Sequence, residues 1–375
     1  MDMKIVLAPD SFKGSLSSIE VANTMAAGIL EIIPDAKPIK KPMADGGEGT
    51  METLLSSTKG KKVHLSCTGP KGNKIETYYA ISGETATIEI AKIVGLTMVP
   101  PSDRNPDHLT SYGVGEVMNH ALNEGCTEFV MALGGSATND GGIGLLQALG
   151  VEMYDSDDNR VGCYGADLHS IKKVCLSTLD VRWRNVRIKV ACDVENSLIG
   201  SLGATKIYGP QKGLTDSQVE KYDNSMKNYG VLVGEEAGNQ IIEVPGTGAA
   251  GGLAFALLAI GADLISGAKL VAETIQLDKI IQEADLVLTG EGQSDEQTLY
   301  GKAPGYVAEI CVQHETPVVL LSGSLAGDLD VLRKSFSGCF SIINAPMSLN
   351  DSIENAGDLL YKQTKQVMNL IKQIK

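Results

Sequence analysis

The chain has 375 residues, 43% of them hydrophobic, with 32 lysines and arginines against 46 aspartates and glutamates, a formal net charge of −14. That length accommodates two domains with a core each, and the acidic balance argues against nucleic acid or an anionic membrane as partner. No apolar run approaches the ~18 residues that span a bilayer, and the start reads as a buried strand with no basic stretch ahead of it, so a cytoplasmic protein without a secretory signal is the expectation.

Seven cysteines are scattered and never spaced C-x-x-C, and the five histidines form no H-E-x-x-H. Small buried thiols are therefore expected rather than structural zinc or a disulfide framework.

In chain order, "KIVLAP" (residues 4–9) reads as a short strand. Ser17 and Glu20 offer a capping box, and Ile19, Ala22, Met25, Ala26, Ile29 and Ile33 follow at helical spacing until Pro34 stops the helix. A second strand over 36–44 runs into "DGGEG" and a short helix. Three alternating runs over 61–91, separated by "GPKGN" and "SGE", predict antiparallel hairpins. Then come a helix over 111–123, a strand over 127–133, the glycine-rich loop "LGGSATNDGGIG" (133–144), a helix over 140–149 and a strand over 187–192.

The last third carries continuous apolar runs at 284–290, 317–323 and 339–345, followed by helical stretches near 303–314, 327–334 and 351–373. Continuous apolar strands separated by helices mean a parallel sheet covered on both faces. Two strands from the start and three from the end make a five-stranded doubly wound α/β domain, residues 1–60 and 280–375. Residues 61–279 form a second, mixed α/β domain inserted into it.

Ligands of open parallel sheets bind beyond the carboxyl ends of the strands. Those ends hold Asp10, Ser11, Lys13 and Ser15, then Asp45 and Glu48, then Glu291, Asp295 and Lys302, with "SGSLAG" after the fourth. Bland roles compete: Asp10 or Ser15 capping a helix, Asp45 bonding its own turn, the lysines as solvated surface charges. Lys13 and Lys302, however, lie within a turn of a helix start, where the dipole disfavours a cation unless an anion joins it.

No P-loop, G-x-S-x-G elbow or flavin-stacking aromatic at the strand ends is present. "GTGAAG" (246–251) matches a dinucleotide fingerprint in spelling, but no acidic strand end follows it, and it reads as the close-packed start of a helix. Carboxylates suited to Mg²⁺, lysines for phosphate and glycines for backbone approach, with no nucleophile or redox group, are the components of phosphoryl transfer.

"KIVLAPDSFKGSLS", "MADGGEGT", "LGGSATNDGGIGLLQALG", "VACDVENSLIG", "YGPQKG", "GTGAAGGL" and "LTGEGQSDEQTLYGKAPGYVA" resemble the bacterial glycerate kinase family, over essentially the whole chain. The resemblance implies an ATP- and Mg²⁺-dependent phosphorylation of D-glycerate to 2-phosphoglycerate, and a flavodoxin-like domain carrying an inserted α/β domain. The family commonly has arginine where this chain has Gln293.

Under that resemblance Gly134 and Gly135 let backbone approach a ligand, Ser136 and Thr138 offer hydroxyls, and Asn139 and Asp140 start the helix. Whether this loop holds ATP or glycerate stays open. Lys13, Arg104 and Lys212 are candidates for the substrate carboxylate, and Lys302 for a phosphate clamp. Asp193 is the first choice to accept the attacking hydroxyl's proton and Asp295 the second. Asp45 and Asp10, with Glu48 beside them, are the expected Mg²⁺ ligands. The two residue sets are expected to face each other across a cleft that substrates close. A kinase for another small hydroxyacid or sugar acid, and a non-catalytic hydroxyacid-sensing module, remain as alternatives; oligomeric state is open.

Overall fold

The strands Leu286–Thr289 and Val318–Ser322 are buried at every position and Lys4–Leu7 at all but its first, so each needs cover on both faces. The structure, a computed structural model, describes residues 3–374. In it these strands form the centre of a five-stranded, all-parallel sheet in the order Gly338–Ser341, Val318–Ser322, Leu286–Thr289, Lys4–Leu7, Lys37–Lys40. Ile5 lies opposite both Leu286 and Pro38.

The edge strand is shorter than the expected 36–44. Pro42 lacks the N–H a ladder needs, and beyond Lys40 only single bonds continue, Lys41 N–H to Leu7 O (2.7 Å) and Met43 N–H to Pro9 O (2.8 Å). The first helix, Ser18–Ile32, begins at the expected capping box. Its apolar face (Val21, Met25, Ile29) shares a core with Leu288, Leu321, Leu360 and Met368.

The chain divides into two units. The first comprises residues up to Asp45, Glu52–Thr58 and residues from Ser266 onward; the second comprises Gly46–Met51 and Lys59–Ile265. The helices Gly267–Thr274 and Leu277–Ile281 thus belong with the first unit, where the sequence reading had kept residues up to 279 in the insert. Their apolar positions Leu270, Val271, Leu277 and Ile281 are buried, and Gly267–Thr274 packs on helix Ala303–Gln313 of the first unit.

The second unit is built on a six-stranded mixed sheet. Lys61–Thr68, Lys74–Ser82 and Thr85–Glu89 pair antiparallel, as their alternation predicts. Glu128–Ala132, Arg187–Ala191 and Asp263–Ile265 then add in parallel. The core includes Phe129 against the fully buried Trp183, their ring centroids 5.1 Å apart. Among the described residues no helix is long and apolar enough to cross a membrane.

Candidate functional site

In the first unit the loops beyond the strand ends are tied to one another by backbone bonds. Asp10 N–H donates to Gly290 O (2.8 Å), Gly323 N–H to Glu291 O (3.0 Å) and Ser324 N–H to Gly292 O (3.0 Å). They frame a cavity of about 490 Å³ whose lining includes Asp10, Ser11, Lys13, Ser15, Asp45, Glu291, Gln293 and Lys302 on its polar side. The structure therefore brings together most of the strand-end residues nominated from sequence.

Within this cluster each lysine has a carboxylate partner. Lys13 Nζ lies 2.6 Å from Asp45 Oδ2, and Lys302 Nζ lies 3.6 Å from Glu291 Oε2. Glu291 is held from behind, its Oε1 accepting from Ser294 Oγ (3.0 Å) and Thr298 Oγ1 (2.7 Å). Lys302 occupies the N-cap position of helix Ala303–Gln313 without a side-chain capping bond; Glu291 supplies an internal counter-charge there, so that placement alone does not call for an external anion. Burial, reinforced by the Asp45 carboxylate, pushes the Asp10 carboxyl up to about 7. An acidic group so placed favours an incoming cation.

Other nominated residues have structural work. Ser15 Oγ donates to Ile353 O (2.7 Å) and does not cap the helix; Ser17 does. Asp295 caps the short helix Glu296–Leu299, its Oδ1 accepting from Gln297 N–H (2.9 Å), and it is absent from the cavity lining. Glu48 is exposed and belongs to the segment grouped with the second unit. Among the described residues no group of three or more His, Cys, Asp or Glu side chains is placed to hold a metal ion. The pair Asp10 and Asp45 instead fits the mode in which Mg²⁺ takes one or two carboxylates and completes its shell with substrate phosphate and water.

In the second unit the glycine loop follows strand Glu128–Ala132. A Cβ on Gly134 would stand 2.9 Å from Gly47 Cα, and Gly135 has φ +75°. Both positions thus require glycine for the fold itself. Lys212 is fully enclosed and donates to Ser136 Oγ (2.8 Å) and Thr138 O (2.7 Å). Loss of hydration pulls its amine down to about 7, with Asp140 opposing. Thr138 Oγ1 and Asn139 Oδ1 are buried without a hydrogen-bond partner.

Asp140 does not start the helix, which begins at Ile143 after Gly142 in the left-handed region. The Asp140 carboxyl is locked under the loop, accepting from Ser111 N–H (2.9 Å), Ser111 Oγ (2.6 Å) and Gly142 N–H (3.1 Å). Burial holds it above the ordinary carboxylate range despite these donors. Asn139 Nδ2 donates to Thr205 Oγ1 (3.1 Å).

Gly251, in the "GTGAAG" run, has φ +69°, and a Cβ added there would collide with Thr138 O and the Lys212 amine. That run packs tightly on the glycine loop ahead of helix Leu253–Ala259, as its sequence suggests. Arg104 spends its guanidinium on backbone, Nε to Val99 O (3.3 Å) and Nη1 to Gln211 O (3.4 Å). Asp193 lies exposed, two residues beyond strand Arg187–Ala191.

Sequence reasoning did not single out Ser111, Thr205, Ser294 or Thr298. Ser294 and Thr298 follow Glu291 within seven residues and were accessible to a search for its partners; Ser111 is 29 residues from Asp140 and carries no local signal.

The fold places a charged cavity at the edge of a parallel sheet in a mixed α/β protein. A family model described as the glycerate kinase family matches residues 5–372. The glycerate 2-kinase of Escherichia coli K12 is 40% identical over 369 residues, covering 97% of each chain. The glycerate kinase of Haemophilus influenzae is 41% identical over 373 residues, 98% of this chain and 99% of that one. A crystal structure assigned as glycerate kinase 2 of Salmonella typhimurium LT2 superposes with a TM-score of 0.90 at 40% identity, covering 100% of this chain and 99% of that one. The chain belongs to the glycerate kinase family and is a kinase.

Proposed function

We propose that the protein transfers the γ-phosphoryl group of ATP to D-glycerate, giving 2-phosphoglycerate. The observation that carries this reading is the strand-end cavity, where two lysines and three carboxylates converge at the edge of a parallel sheet. The strand order supports classing that sheet with the doubly wound, flavodoxin-like arrangement, whose ligands bind at this edge.

In this proposal Lys13 and Lys302 exchange their carboxylate partners for phosphate oxygens and neutralise the charge that develops as the γ-phosphoryl moves. Asp10 and Asp45 would hold Mg²⁺, which supplies further neutralisation of the phosphates when bound. Asp193 accepts the proton of the attacking hydroxyl; its position past a buried strand supports that role, while Asp295 is withdrawn from it by its cap. Lys212, enclosed with its amine on Ser136 Oγ and Thr138 O, braces the glycine loop, which leaves the half-buried Arg104 as the cation for the glycerate carboxylate.

The test is ADP release over a panel of small hydroxyacids, with NMR of the product. ADP forms with D-glycerate, the phosphate sits on the C2 hydroxyl, and activity lost to EDTA returns with Mg²⁺ or Mn²⁺. Turnover of a different acid only, or none at all, contradicts the reading.

A further inference from the structure

The cavity has a second side. Phe12, Ile342, Ile343, Leu349, Ile353 and Ala356 also line it, beside the lysines and carboxylates. Three of these are large apolar side chains left open to water, Leu349 at 74%, Ile343 at 37% and Ile353 at 36% exposure. Single exposed apolar residues are ordinary, but a cluster at the rim of a polar cavity marks a binding surface.

Local structure explains how the wall is made. Leu349 and Ile353 are four residues apart on helix Leu349–Glu354, so they share one face. Ser348 caps that helix through Asp351 N–H (3.1 Å). Ser15 Oγ, on the loop that carries Lys13, donates to Ile353 O (2.7 Å) and fastens the helix beside the charged side of the cavity.

Glycerate has no apolar face to set against such a wall, and a molecule of its size would leave most of 490 Å³ empty. A nucleotide has both parts needed: a flat base for the apolar wall and phosphates for the lysines. We infer that the strand-end cavity of the first unit is the nucleotide site, with the purine base against Leu349, Ile353 and Ile343 and the phosphates toward Lys13 and Lys302. This rests on the kinase reading above and settles which of the two loop systems takes the nucleotide.

The test uses the full chain and ADP. Leu349 is mostly solvent-exposed, so Leu349→Asp leaves the fold intact, as a thermal melt checks. The Kd for ADP by calorimetry rises by about tenfold, in line with losing the burial of one leucine-sized surface, while the KM for D-glycerate stays within about twofold. In a second variant, Leu349→Trp, the new indole reports ADP by a change in emission, the native Trp183 being enclosed elsewhere.

An unchanged Kd for ADP, or a rise confined to the KM for glycerate, overturns the assignment. Because ADP binding needs no glycerate, a wild-type chain that binds ADP here yet turns over no glycerate would defeat the proposed reaction and leave this inference standing.

Discussion

A lysine ammonium enclosed on all sides by protein loses the hydration that keeps it charged, and Lys212 is enclosed in this way. Its amine falls from an ordinary 10.5 to about 7. Between those values the unfolded chain holds a proton that the folded chain lacks, so this group's contribution to stability rises with pH from 7 to 10.5; below 7 the full burial cost is present. Lys212→Met removes that dependence. Urea denaturation at pH 7, 8.5 and 9.5 should show the variant's stability relative to wild type highest at pH 7 and falling as pH rises; a gap independent of pH would contradict the buried amine. The sequence marked Lys212 as a cation in "GPQKG" but carried no sign of burial, because Ser136 and Thr138 lie more than seventy residues away.

Asp45 was legible as a strand-end carboxylate, and the structure adds its bond to Lys13. If Asp45 helps hold Mg²⁺, Asp45→Asn raises the Mg²⁺ concentration for half-maximal activity by about tenfold or more. An unchanged requirement in a magnesium titration would leave Asp45 as a lysine partner only.

At the scale of elements, the glycine loop and the helix Tyr112–Asn123 are joined through one carboxyl. Ser111 donates twice to Asp140, and its Oγ in turn accepts from Leu145 N–H (3.0 Å) at the start of the next helix. Ser111→Ala leaves a fully buried carboxyl and a helix N–H short of a partner, which costs about 1–3 kcal/mol. Denaturant unfolding should give that loss with an unchanged m-value; wild-type stability would mean the junction is hydrated instead. Elements with a strong period were readable: the capping box at Ser17, the continuous apolar strands and the hairpins over 61–91. Asp263–Ile265 and the antiparallel pair Glu152–Tyr154 with Lys173–Cys175 were not, since three residues give no period to detect. The helix start was misplaced at Asn139 and Asp140 because those residues resemble caps, whereas both side chains turn inward to tie the loop to Ser111 and Thr205.

For the molecule as a whole, a net charge of −14 opposes the approach of polyphosphate and carboxylate alike. The strand-end cavity does not reverse that field by itself, because Lys13 and Lys302 are already matched by Asp45 and Glu291, with Asp10 in excess. On the proposed reading, a polyphosphate brings a cation with it and displaces both carboxylates from the lysines, so that the carboxylates and lysines of this cavity act together. Removal of one lysine tests that claim most directly. For Lys302→Ala, shown to be folded by its melting curve, kcat/KM for ADP formation with D-glycerate is expected to fall by about 100-fold or more; turnover at the wild-type rate would show that phosphoryl transfer does not take place at the strand-end cavity.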